Sequence, residues 1–427
     1  MLLFVLYLLF FSCWLYRWGR KRLSDEVSRW VFLLSFLLRV GVGIGFAYYT
    51  RDLAGNDYWR IFRDSKEETD WLLHDTPKFF YKDIWDNNGY KGNPFTGFFY
   101  RNGDNGYFND LKDNLIIKCN AVLNVFSGSN YYVNVLIANF LVMWCLLGLA
   151  RVCIYGLQPQ RRWTVYGVLL LYPPLVLWTS NIQKDMVSLA LLAVVLYTYI
   201  FQKGKVGWQR LLYWTAFILS LLLMLLIKNY MAMILAVCLV ATWLPRPGIR
   251  GFARRFLWLL VGCLWLFALC SFFPDSVNLP LMLARKQHGF YEVNGGQPIP
   301  STPLSGDMVT YLRNLPHAVV SVFVFPMERS LLVGPIGWMG LATCVLFLLL
   351  TYCAVRFPRG GRPWQSPFFL MLSGFCLLHY LLIGETVAYY GALLRYRSVA
   401  EAIFCMLMLQ LTDIEKIDRI HIVRKNI

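Results

Sequence analysis

The chain has 427 residues, of which 58% are hydrophobic and only 15% charged. That leaves too little polar surface for a water-soluble fold of this length, and predicts an all-α polytopic membrane protein in a single transmembrane domain over 1–427. A net charge of +17 would suit nucleic acid, but in a membrane protein Lys and Arg first mark the connections retained in the cytoplasm, so no nucleic-acid partner is expected.

Taken in order, about eleven apolar segments suit helices: 1–16, 30–49, 131–150, 164–179, 185–201, 211–227, 230–244, 256–272, 334–354, 367–383 and 397–411. Several fall short of the usual ~20 residues, which implies tilted or broken helices. The opening "MLLFVLYLLFFSCWLYRWGRKR" carries its positive charges after the apolar run and shows no small-residue cleavage site. It reads as an uncleaved first span with the N-terminus outside. Alternate connections, together with the tail 412–427, then hold 22 of the 41 Lys and Arg with five acids. This places them and the C-terminus in the cytoplasm.

Two outer segments are long. Residues 50–130 carry ten basic and twelve acidic side chains, and a connection of this length is expected to be functional. Within it, Leu111, Leu115, Cys119, Val122 and Phe126 recur at helical spacing and predict an amphipathic helix lying on the membrane surface. Residues 273–316, with "NGGQPIPSTPLSGD", read as a mobile loop. Eleven Cys without a CxxC pair and five His without HExxH give no metal-ligand spacing, and the thiols read as packing residues. The cofactor is left unknown: a divalent metal has possible oxygen ligands in Asp52, Asp57 and Glu385, but no ligand motif.

Charge otherwise gathers at span ends assigned to the outside, Arg39 being the main exception within a span. Asp52 and Asp57 lie in "TRDLAGNDYWRIF", Lys184 and Asp185 in "YPPLVLWTSNIQKDMVSLALLAVVLYTYI", and Lys228 in "LLIKNY". Glu385, Arg395 and Arg397 lie in "GETVAYYGALLRYRSVAE". Cations at the interface can neutralise the phosphate of a polyprenyl-linked sugar and stabilise it as a leaving group. A carboxylate beside them can take the proton of the acceptor hydroxyl, while Trp59, Trp178, Tyr389 and Tyr390 suit the sugar or isoprenoid path. Two apart on a helix, Arg395 and Arg397 point to different sides, so one of them is expected at the phosphate.

The long early loop with its acid in "GNDYWRIF", followed by "NLIIKCNAVLNVFSGSNYYVNVLIANFL", resembles the layout of type-C (GT-C) integral-membrane glycosyltransferases. The stretch from Tyr172 to Ile200 looks like the "P…W-[ST]-S/N…K-[DE]" pattern of bacterial members related to protein mannosyltransferases. "LRYRSVAEAIF" is similar to their late "R-[YF]-R-x-P", with Ser398 and Val399 in place of the small residue and proline. The resemblance implies an inverting transferase of the bacterial inner membrane. It would move a sugar from a polyprenyl-phosphate donor to a glycan or lipid acceptor among membrane lipids. It makes Asp57 the catalytic carboxylate with Asp52 in reserve, and Lys184, Arg395 and Arg397 the phosphate ligands. Asp185 would orient Lys184 or cap its helix, with Glu385 and Lys228 supporting. A repeat-unit polymerase for O-antigen or capsule is the alternative, and a flippase or transporter a third.

Overall fold

A computed structural model of the chain describes residues 2–22, 27–52, 57–82, 107–243, 248–275, 278–291, 299, 301–323, 334–361 and 363–418. In chain order the helices are α1 (Leu2–Arg22), α2 (Arg29–Tyr49), α3 (Asp57–His74), α4 (Thr76–Tyr81), α5 (Tyr107–Ser127) and α6 (Tyr131–Leu157). They continue with α7 (Arg162–Leu171), α8 (Pro173–Trp178), α9 (Lys184–Phe201), α10 (Gly207–Ile227), α11 (Asn229–Trp243) and α12 (Gly248–Leu269). The last are α13 (Leu279–Tyr291), α14 (Met308–Phe323), α15 (Gly334–Arg356), α16 (Pro367–Thr386) and α17 (Tyr390–Leu411). The described residues form no β-strand, only an isolated bridge between Pro358 and Thr412.

Among the described residues seven helices, including α2, α6, α9, α10 and α16, are long and apolar enough to cross a membrane. The other expected segments fall on helices that are shorter or more charged. The protein is an all-α, multi-pass membrane protein, as its composition requires: in hydrocarbon a helix pairs its backbone groups within itself.

The chain divides into two compact units, Met1–Val152 with Val176–Asn229, and Cys153–Leu175 with Tyr230–Ile427. In the first, α1 packs on α2, α9 on α10 and α3 on α5. Helix α2 buries Phe32, Phe36, Val40, Gly43 and Ala47 along one stripe, while Leu34, Leu37 and Leu38 stay exposed, as suits a helix with one face toward lipid. The α3–α5 hairpin is built the other way round. Its interior is polar: the Lys118 ammonium donates to Glu68 Oε2 and to the Phe79 carbonyl, both at 2.7 Å. Asn124 Nδ2 donates to Ser65 Oγ and Thr69 Oγ1 at 3.0 Å, and Asn134 Nδ2 at the start of α6 reaches Asn124 Oδ1 at 2.6 Å. The apolar stripe expected to seat this helix faces outward, with Cys119, Val122 and Phe126 exposed and Leu111 and Leu115 half-buried.

One expected span, 164–179, is two helices. Pro173 brings no N–H and forces Tyr172 out of the helical region, to φ −62° and ψ 115°, so α7 stops and α8 restarts. Residues 179–183 are then irregular until α9 begins.

In the second unit α16 packs against α14 and α17, and α17 also meets α7 and α15. The segment 273–316 is not simply a loop, since it contains α13 and the first half of α14. Its Pro-rich part is pinned by Gln287, whose Nε2 donates to the carbonyls of Thr302 at 3.2 Å and Glu385 at 3.1 Å. The Gln287 Oε1 accepts from the Leu304 N–H at 2.7 Å. Where α14 meets α16, a Cβ at Gly384 would stand 2.5 Å from the Ala318 carbonyl oxygen, so only glycine permits this approach.

Candidate functional site

The Lys184–Asp185 doublet opens α9, and its two charges go separate ways. The Lys184 ammonium sits 2.5 Å from Asp113 Oδ1 on α5. Asp185, almost fully buried, pairs instead with Lys228, the residue that closes α10. Adjacent helical residues project about 100° apart, so one neighbour reaches α5 and the other α10. Asp185 also lies in the first turn of α9, where a carboxylate complements the helix dipole. Of the two roles expected for it, orienting Lys184 or capping its helix, this position suits the second, and its ion pair is with Lys228.

Asp113 is the meeting point. Its Oδ2 accepts from Arg60 Nη2 of α3 at 3.1 Å, so one carboxylate joins a cation from α3 to a cation from α9. Arg60 also lies 3.7 Å from Asp57 Oδ1, one turn earlier on the same helix. Asp57, Arg60, Asp113 and Lys184 thus form a chain of alternating charge along one end of the unit, which becomes more exposed toward Asp57. Asp52 lies exposed in the turn after α2. Beneath the chain, Phe46, Tyr58, Trp59, Tyr131 and Trp178 pack edge to face or tilted, and Trp59 Nε1 donates to the Ala47 carbonyl at 3.0 Å.

The irregular residues before Lys184 are held from below by Arg39 of α2. Its Nη2 donates to the Thr179 carbonyl at 2.5 Å and to Thr179 Oγ1 at 2.8 Å, and its Nε to Asn139 Oδ1 at 3.3 Å. Asn139 Nδ2 donates in turn to the Ser180 carbonyl at 2.8 Å. Backbone carbonyls released by the break in the helix are thereby paired again, as a membrane interior demands. A Cβ at Gly43 would come within 2.5 Å of that same Ser180 oxygen.

The candidates of the second unit have other settings. Glu385 is buried, its Oε2 accepting from Asn314 Nδ2 at 2.8 Å. Arg397 is 3% exposed and engaged on several sides: 3.2 Å from Glu401 Oε1, 3.1 Å from the Val322 carbonyl and 3.2 Å from Thr343 Oγ1. A guanidinium so enclosed is a brace between helices, and the phosphate role expected for it has no support here. Arg395 is half-buried on another side of α17.

Sequence reading missed Asp113, Arg60 and the clamp at Arg39. A signal for the first was present: Asp113, Ile117, Asn120 and Asn124 recur at helical spacing and define the inward face of α5. Among the described residues no three His, Cys, Asp or Glu side chains gather as metal ligands would. The chain matches no protein-family model, no curated protein and no solved structure.

Proposed function

We propose that the protein is a membrane glycosyltransferase. In this reading it moves a sugar from a polyprenyl-phosphate donor to a glycan or lipid acceptor at the outer face of a bacterial inner membrane. What supports this is the convergence of Lys184 and Arg60, from different helices, on Asp113, with Asp57 exposed beside Arg60. A phosphate arriving at the interface competes with Asp113 for both cations, and the arginine can grip it in bidentate fashion. As the glycosidic C–O bond to phosphate breaks, the two cations stabilise the charge left on the phosphate. Asp57 accepts the proton of the acceptor hydroxyl whose oxygen bonds to the sugar.

The test is deletion of the gene in its host, with lipid-linked and surface glycans compared by gel and mass spectrometry. Wild type and the Asp57→Asn and Lys184→Ala variants are reintroduced alongside. Loss of one sugar's mass, restored by wild type and by neither variant, is the expected result. Single repeat units accumulating on lipid would establish a repeat-unit polymerase instead.

A transporter reading gains support from the break between α7 and α9 and from Arg39, since transporters place interrupted helices and ionisable groups at mid-membrane. Glycan transfer by the purified protein in detergent would exclude a transporter without chemistry.

A further inference from the structure

Arg39 is fully buried and lies ten residues before the end of α2 at Tyr49. At 1.5 Å per residue that is about 15 Å, half the thickness of a hydrocarbon core of about 30 Å. No carboxylate among the described residues pairs with it. A guanidinium has five N–H donors and no acceptor. Those of Nε and Nη2 are taken by Asn139 and Thr179, whereas Nη1 meets no hydrogen-bonding atom among the described residues. The full charge of an arginine is thus desolvated without a counter-charge, a costly condition that marks intramembrane cations as functional.

The surroundings decide what could satisfy Nη1. Two more buried polar atoms have no partner among the described residues, Asn181 Nδ2 in the segment that Arg39 clamps and Trp178 Nε1 at the end of α8 just before it, and both are donors. Asn181 Oδ1 is already occupied, accepting from the Tyr131 hydroxyl at 3.4 Å. A water molecule would need acceptors for its own hydrogens. A buried, unbalanced positive charge that offers only N–H donors instead suits a group that only accepts. Complete burial at mid-membrane depth excludes a lipid phosphate or a sugar, which leaves something the size of a single ion.

We propose that Arg39 Nη1 holds a halide-sized inorganic anion, chloride being the abundant one, and that this anion completes the clamp on residues 179–183. The site is independent of the transfer reading: it concerns the middle of the first unit, not its charged end.

The test uses the purified full-length protein in detergent and equilibrium binding of radioactive chloride, with gluconate keeping ionic strength constant. Wild type is expected to bind saturably at one site per chain and to be competed by bromide. Arg39→Gln is expected to lose at least tenfold in affinity, and Arg63→Gln, an exposed arginine on α3, to bind as wild type does. Binding by Arg39→Gln at the wild-type level overturns the proposal, as does wild-type binding no greater than background. Should Arg39→Gln fail to fold, the wild type still decides. A thermal midpoint that is the same in chloride and gluconate overturns the site, and a higher one in chloride supports it.

Discussion

Lys184 and Asp185 differ in burial as well as in partner, and the two pairs should respond differently to mutation. The Asp185–Lys228 pair is nearly inaccessible, so Lys228→Met leaves a buried carboxylate without its cation. A cost of about 3–5 kcal/mol is expected, seen as a lowered unfolding midpoint in detergent. Asp185→Leu combined with Lys228→Met should recover most of it, because an apolar pair carries no stranded charge. Lys184 and Asp113 keep some contact with solvent, and such ion pairs contribute on the order of 1 kcal/mol or less. Lys184→Ala and Asp113→Asn should therefore both fold at nearly the wild-type midpoint, yet Lys184→Ala should lower glycan transfer by at least about a hundredfold, the scale of lost charge stabilisation at a reacting phosphate. A variant that unfolds and loses activity together would place the pair in the scaffold instead. Which acid meets Lys184 was not legible beforehand. Asp113 is one of twelve acids in residues 50–130, and only the inward face of α5 singles it out. Burial of Arg397 but not Arg395 was partly legible, because residues two apart on a helix cannot share a side.

At the scale of elements, apolar length locates helices well and says little about their continuity or facing. The run 164–179 passes for one span because Tyr172, Pro173 and Pro174 barely interrupt its hydrophobicity, although the missing N–H is enough to end α7. The stripe on α5 is read without the polar face opposite it. Apolar spacing identifies an apolar face, but in a membrane protein that face can turn outward while Lys118, Asn120 and Asn124 turn in. Close packing offers a sharper test. The Cβ introduced by Gly43→Ala would meet the Ser180 carbonyl and Val135 Cγ1, the latter at 2.8 Å. Overpacking of this kind costs about 1–3 kcal/mol. Gly43→Ala should lower the unfolding midpoint accordingly and should also weaken activity by displacing residues 179–183. Gly41→Ala, with nothing near its added Cβ, should leave both as they are.

For the whole molecule, the distribution of Lys and Arg makes a statement that packing does not, namely which side each connection faces. Single cysteines in a background with the native thiols replaced test it. Asp64→Cys on α3 and Asp307→Cys before α14, both at exposed positions, should react with an impermeant maleimide in intact cells. Lys203→Cys, after α9, should react only once the membrane is opened. The reverse pattern would put the acid–cation chain on the cytoplasmic side and remove the basis for an acceptor outside. The fold class follows from composition alone, because 58% hydrophobic residues cannot be hidden in a water-soluble globule of this size.

The divided doublet at the start of α9 also has a mechanical side. Lys184 and Asp185 act as two guy-lines on one mast, attached about a third of a turn apart and anchored to α5 and α10. With both taut, α9 cannot swivel about its long axis in either direction without stretching one of them. A ligand that draws Lys184 away from Asp113 slackens a single line. The remaining Asp185–Lys228 tie then becomes a pivot, and torque applied at the charged end of α9 can travel along its 18 residues.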